Sequence, residues 1–264
     1  MKITIIGAGA MGGALAEGIL KSSIIKDTDL CITDISAQAL ERFKSKGVST
    51  TTHNNEAIKG ADIVAVVVKP WITEKVLADI KQQLDYTKQQ LIVIAAGVSS
   101  KQITTCLYKD SSPHMLPFYL IIPNIAIAVL SSMTFIVPVG ATSEQISGIK
   151  NIFDSMGGTT ITDEHLLEAG TTLASCGIAY AMRYIRASVE GGVEIGFKAH
   201  DAEKIVEQTV KGAVELLQAT QSHPESKIDE VTTPGGVTIK GLNEMEHAGF
   251  TSAVIRGIKA GLGK

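Results

Sequence analysis

Gly7, Gly9 and Gly12 form a Gly-x-Gly-x-x-Gly run directly after the apolar stretch Ile3–Ile6, a spacing suited to gripping a pyrophosphate. In such a turn the first glycine makes the tight bend and the second lets a phosphate reach the backbone. The third lets the following helix pack closely on the strand. Unpaired N–H groups and the dipole at that helix start favour an anion. Asp34 closes the next apolar stretch, Leu30–Thr33. A carboxylate there accepts from a ribose 2′-hydroxyl and repels a 2′-phosphate. A second candidate lies far along the chain, in Thr232-Thr-Pro-Gly-Gly-Val-Thr238. Gly235 and Gly236 expose consecutive N–H groups there, threonine hydroxyls flank them, and a helix start follows. Such a nest suits a small carboxylate; a proline turn leading into a helix N-cap is the alternative reading.

The elements that must hold these residues alternate between strand and helix over the first 160 or so positions, as a doubly wound parallel sheet requires. Strands are predicted at 3–6, 30–33, 48–51, 63–68, 91–95, 119–122, 134–137 and 159–161, with a helix over 11–20 after the glycine turn. Residues 63–68 are apolar without alternation, as a strand covered on both faces demands. That run ends in Lys69-Pro70, and 91–95 ends in the small residues Ala95, Ala96 and Gly97, leaving space for a flat ring. After Asp163 the character becomes helical. Ile178, Ala181, Ile185, Val189 and Val193 mark one face of a long helix over 165–193. A second helix is predicted over 201–218 and a last one from Ile239 onward. The expected fold is α/β: a Rossmann-type sheet domain over 1–162 and an all-helical domain over 163–264. Helices this apolar, without a sheet, are expected to pack against a second copy.

The chain has 264 residues, 45% of them hydrophobic, and a formal charge of −3. It carries no basic stripe, which argues against nucleic acid as a partner. Cys31, Cys106 and Cys176 are widely spaced with no Cys-x-x-Cys or histidine pairing, so they read as buried thiols in a reducing compartment, and no metal site is expected. The most apolar segment, 118–139, is broken by Pro123, Asn124, Ser131, Ser132 and Pro138, so no membrane span is expected. The first strand begins at once, leaving no room for a leader, and a cytoplasmic location is expected. His53, His114, His165, His200, His223 and His247 sit in polar contexts and read as surface.

The stretch Thr233-Pro-Gly-Gly-Val-Thr-Ile-Lys-Gly-Leu-Asn-Glu-Met-Glu246 with Gly249-Phe250 resembles the C-terminal motif of pyrroline-5-carboxylate reductases. So do the opening Gly-x-Gly-x-Met-Gly, Val68-Lys69-Pro70, Ala95-Ala96-Gly97-Val98, Pro123-Asn124, Gly177 with Ala179-Tyr180, and Gly191-Gly192-Val193 with Gly196. The resemblance implies reduction of 1-pyrroline-5-carboxylate to L-proline, in proline biosynthesis, with NADPH or NADH. It also implies a helical dimerisation domain and a homodimer or higher oligomer such as a decamer. It places the cofactor against Ile6, Gly7, Ala8, Gly9, Ala10, Met11, Gly12, Asn54, Val67, Val68, Lys69, Pro70, Ala95, Ala96 and Gly97, to which the residues themselves add Asp34 and a lean to NADH. Substrate contacts fall on Glu164, Gly235, Gly236, Val237 and Thr238, the substrate residues of one subunit serving its neighbour's cofactor. Thr238 is the candidate catalytic residue, hydrogen-bonding the imine nitrogen either as donor or through water. A β-hydroxyacid dehydrogenase would carry a lysine general acid/base on the long helix, and residues 166–192 contain none. A paralogue that binds dinucleotide without catalysis is the other alternative, against which the intact Gly235, Gly236 and Thr238 weigh. Leu120, Cys176 and Ile178 depart from the usual pattern, where Leu120 replaces an arginine and Ile178 a helix-bending proline.

Overall fold

The computed structural model describes residues 1–110, 112 and 114–262, which divide by packing into Met1–Ser175 and Cys176–Lys264. In the first unit the strands are β1 (Ile3–Ile6), β2 (Leu30–Thr33), β3 (Ser49–Thr51), β4 (Ile63–Val66), β5 (Gln90–Val93), β6 (Phe118–Ile122), β7 (Ser132–Val139) and β8 (Gly157–Ile161). Its helices are α1 (Ala10–Ser22), α2 (Ala37–Lys44), α3 (Asn54–Ala57), α4 (Pro70–Ile80), α5 (Ser100–Leu107), α6 (Ser143–Asp154) and α7 (Leu167–Gly170). All eight strands join one sheet in the order β3-β2-β1-β4-β5-β6-β7-β8. The strand order reverses between β1 and β4, which opens a crevice at their carboxyl ends.

The central strands are buried on both faces and divide their side chains between two apolar clusters, while the edge strands β3 and β8 stay partly exposed. Along β4, Ile63 and Ala65 join one cluster while Val64 and Val66 join the other, which explains the unbroken apolar run. The wholly parallel sheet expected from the sequence is corrected at β7, which pairs antiparallel to β6 with Leu120 opposite Val137. Only the nine residues 123–131 connect these two strands, too few for a parallel crossover and enough for a reversal. Leu120 itself is fully buried inside an apolar cluster, so an uncharged side chain suits its site.

The expected division after residue 162 differs from the packing division after Ser175. Residues 163–175 pack with the sheet unit: Glu164 accepts from Ser100, Leu167 lies against the second apolar cluster, and Asn124 Nδ2 donates to the Ala174 carbonyl at 3.4 Å. The single long helix read over 165–193 is likewise broken. A 3-10 turn at Glu164–Leu166, the short α7 and a π-helical stretch at Thr171–Cys176 precede α8 (Gly177–Glu194). The irregularity that a proline at Ile178 would have supplied is thus present as a π segment.

The second unit continues with α9 (Ala199–Thr220), α10 (Pro224–Glu230), α11 (Val237–His247) and α12 (Phe250–Ala260). The last predicted helix is two, because Gly249 takes φ +81° and ends the ladder between α11 and α12. Pro224 at the first turn starts α10, which the sequence reading passed over. Gly192 lets α8 approach Ala202 of α9, where a Cβ would lie 3.0 Å from the alanine Cβ. Ala202 is the one buried residue of this unit among those described. Tyr180, Met182, Tyr184, Leu216, Phe250 and Ile255 are all exposed. Among the described residues no helix is long and apolar enough to cross a membrane.

Candidate functional site

A cleft of about 600 Å³ lies at the carboxyl ends of the parallel strands. Each strand delivers its residues because its ladder ends there: Gly7 N–H donates to Thr33 O at 2.7 Å, Val67 N–H to Ile6 O at 2.8 Å, and Ile94 N–H to Val66 O at 2.9 Å. Ile6, Gly7, Gly9, Ala10, Met11, Gly12, Asp34, Asn54, Val67, Val68, Lys69, Pro70, Ala95 and Ala96 all line this one cleft. Ala8 and Gly97 are the expected cofactor residues outside the lining. Ala8 is buried with its N–H turned to Asp34, and Gly97 makes the next turn at φ +79°.

The glycine turn matches the geometry that its sequence implies. Gly7 has φ +109°, and a Cβ there would overlap the Val67 carbonyl. A Cβ on Gly12 would overlap the Gly7 carbonyl, whereas one on Gly9 would meet nothing within 4 Å. The first and third glycines therefore answer packing, and the second faces open space where a phosphate fits. Gly9 is the N-cap of α1 and offers no side-chain acceptor to the first turn, so N–H groups there are available to an anion.

Asp34 Oδ2 accepts from Ala8 N–H at 2.7 Å and Oδ1 from Ser36 N–H at 2.8 Å. The carboxylate is thereby fixed at the cleft wall while each oxygen keeps a lone pair for a ribose hydroxyl. Asn54 Oδ1 accepts from the buried Thr33 hydroxyl at 2.9 Å, which orients its amide. Lys69 is the N-cap of α4, its ammonium 5.9 Å from the ring centre of exposed Trp71. The lining also includes Ile35, Ile72, Ile122, Thr171 and Ser175, which the sequence reading missed, beside Ile94 and Pro123 at the ends of their strands. Ile35 is 94% exposed. An apolar residue directly after a strand-ending aspartate was the signal that could have found it.

Glu164 lies in the sheet unit, half-buried. Its Oε1 accepts from Ser100 N–H at 2.8 Å and its Oε2 from the Ser100 hydroxyl, so it closes the first turn of α5 just beyond Ala95-Ala96-Gly97. The other expected substrate residues belong to the helical unit. Gly235 turns the chain at φ +69°, and Gly236 is the N-cap of α11 without a side-chain acceptor. One detail of the nest is corrected: Gly236 N–H is spent on Thr233 O at 2.9 Å, closing the turn. The donors left are Gly235 N–H and those at the start of α11, where Val237 and Thr238 are exposed.

All six histidines are exposed. The three cysteines are free and half-buried, not buried as expected, and partial burial pushes the Cys31 thiol up, away from thiolate chemistry. Among the described residues no cluster of three or more His, Cys, Asp or Glu could hold a metal ion.

Residues 164–264 match the family model for pyrroline-5-carboxylate reductase dimerisation, and residues 2–97 match the model for NADP oxidoreductase coenzyme F420-dependent. The chain is 37% identical to pyrroline-5-carboxylate reductase 1 of Dictyostelium discoideum over 97% of its length, and spans about half (48%) of that longer protein. It is 35% identical to pyrroline-5-carboxylate reductase 2 of the same organism, over 97% of this chain and 89% of that one. Its fold matches a solved structure of Plasmodium falciparum pyrroline carboxylate reductase with NADP bound. The TM-score is 0.89 at 26% identity, covering 99% and 95% of the two chains.

Proposed function

This chain belongs to the pyrroline-5-carboxylate reductase family, and from that premise we propose that it reduces 1-pyrroline-5-carboxylate to L-proline, completing proline biosynthesis, with a nicotinamide dinucleotide as reductant. The observation that carries the reading is the cleft itself: one surface gathers the glycine turn, Asp34, Asn54, Val67 to Pro70 and the small residues Ala95 and Ala96. Reduced nicotinamide, when bound, supplies a hydride to the imine carbon.

The chain's own part is placement and one proton-side contact. First-turn N–H groups of α1 hold the pyrophosphate, and Asp34 takes the ribose 2′-hydroxyl, which favours NADH over NADPH. Small Ala95 and Ala96 leave room for the flat ring. The start of α11, with Gly235, Gly236 and Val237, receives the substrate carboxylate, and Thr238 hydrogen-bonds the imine nitrogen directly or through a water, the proton that nitrogen gains coming from solvent along the same contact. Reduction of an imine needs no base to strip a hydroxyl, so orientation of two rings is the larger contribution. Glu164 supports the substrate side through its hold on Ser100. The helical unit exposes its large apolar side chains and buries only Ala202 among the described residues, which supports a homodimer formed through it and larger assemblies such as a decamer. Three free cysteines support a cytoplasmic setting.

The test is oxidation of NADH and NADPH by purified protein with 1-pyrroline-5-carboxylate, with proline as the measured product. Wild type should turn over, and Thr238→Val should lose on the order of 10²-fold in kcat, as for other transition-state donors. A wild type without turnover overturns the proposal.

A further inference from the structure

We propose that Arg42 is a positioning residue of the dinucleotide site: reaching over from α2, it locks the peptides of the glycine turn so that their N–H groups face the cleft. The inference rests on reading that cleft as a dinucleotide site and assigns a residue that the motif does not contain. Arg42 Nη2 donates to Ala8 O at 3.0 Å and to Gly9 O at 3.4 Å. A trans peptide is planar and its C=O and N–H point opposite ways. Holding the Ala8 carbonyl therefore sets the direction of Gly9 N–H, while the Gly9 carbonyl, which also accepts from Gly13 N–H at 2.8 Å, is held jointly by the helix and Arg42 and sets that of Ala10 N–H. These are the two donors nearest the open face of Gly9. The turn is fastened from the other side by Asp34, which accepts Ala8 N–H at 2.7 Å. Successive peptides are thus pinned by an anion and a cation, and a glycine segment that would otherwise sample many conformations is held in one.

Gly13 supplies an independent observation. It sits inside α1, where alanine would favour the helix, yet a Cβ there would overlap Arg42 Nη2. The missing side chain is the opening through which the guanidinium reaches the turn. The guanidinium is also placed by its neighbours: its Cζ stacks 4.7 Å from the ring centre of buried Phe43, and Nη1 lies 3.9 Å from Glu17. With both its carbonyl partners and Glu17 engaged, Arg42 is committed to the turn and not to a 2′-phosphate.

The experiment compares wild type, Arg42→Met, Arg42→Lys, Gly13→Ala and the Gly13→Ala/Arg42→Met double variant, each assayed with NADH and with NADPH. Arg42→Met should raise KM for both coenzymes on the order of tenfold, because the pyrophosphate is common to them, while KM for the imine substrate stays within about twofold. Arg42→Lys, which keeps a single charged donor, should recover part of the loss. Gly13→Ala should reproduce the coenzyme defect without lowering the thermal midpoint, since the long arginine can swing into solvent. The double variant should be no worse than Arg42→Met alone, because both changes remove one interaction. Additive losses, a defect confined to NADPH, or equal rises in both KM values overturn the inference. A wild type that uses neither coenzyme overturns the cleft reading and the inference with it, a result distinct from any of these.

Discussion

Replacing Asp34 by asparagine should erase the preference for NADH, by a factor that Coulomb's law sets. The carboxylate is held at 2.7 Å by Ala8 N–H and at 2.8 Å by Ser36 N–H, so it cannot swing away from a ribose bound against it. A 2′-phosphate carrying about two negative charges would sit about 4 Å from that carboxylate. At the dielectric of water the repulsion is about 2 kcal/mol, and in a half-buried cleft it is more. That corresponds to a preference for NADH of roughly 30-fold or greater. Asparagine removes the charge but can accept only one of the two backbone N–H groups, its amide nitrogen being set against the other. Loosening the turn costs about 1 to 2 kcal/mol with either coenzyme and cancels in the ratio. The assay is kcat/KM for NADH divided by kcat/KM for NADPH, in wild type and Asp34→Asn at low salt. The ratio should exceed about 30 in wild type and fall by about that factor in the variant. A wild type that favours NADPH, or a ratio unmoved by the substitution, refutes the reasoning.

Two further outcomes follow from packing. Gly7→Ala must place a side chain at φ +109° against the Val67 carbonyl, so the variant should lose about 3 kcal/mol or more in urea unfolding and bind neither coenzyme. Burial, with its hydroxyl bonded to Leu107 O at 2.5 Å, pushes the Tyr86 phenol up to about 12, from about 10 in the unfolded chain. Stability from this group is full below pH 10 and is lost as pH rises through 12, a change of about 2 to 3 kcal/mol. Unfolding free energy measured from pH 9 to 12 should therefore fall less steeply in Tyr86→Phe than in wild type, and parallel curves would contradict the assignment.

What was legible in the sequence was whatever local pattern encodes. All eight strands fall within a few residues of their predicted places because apolar runs bounded by turn residues are local. Strand direction is not local, and the reversal of β7 escaped for that reason. Periodicity over 165–193 showed an apolar face but not the change of hydrogen-bond step that makes Thr171–Cys176 a π segment. Asn54 came from the family likeness, whereas the glycine turn and Asp34 were readable because a short motif carries them. Arg42 was not, since its partners lie 33 and 34 positions away and nothing in their sequence marks a carbonyl as an acceptor. Glu164 was assigned by likeness, while its bond to Ser100, across 64 positions, needed the fold.

On the proposed reading, a hydride passes from the nicotinamide to the imine carbon of the substrate. Reduction of 1-pyrroline-5-carboxylate with NADH deuterated at both C4 positions of the nicotinamide, and product analysis by mass spectrometry and proton NMR, tests this transfer whichever face the hydride leaves. The account predicts L-proline carrying one deuterium at the former imine carbon. Proline without deuterium there, or coenzyme consumption without proline, would contradict it.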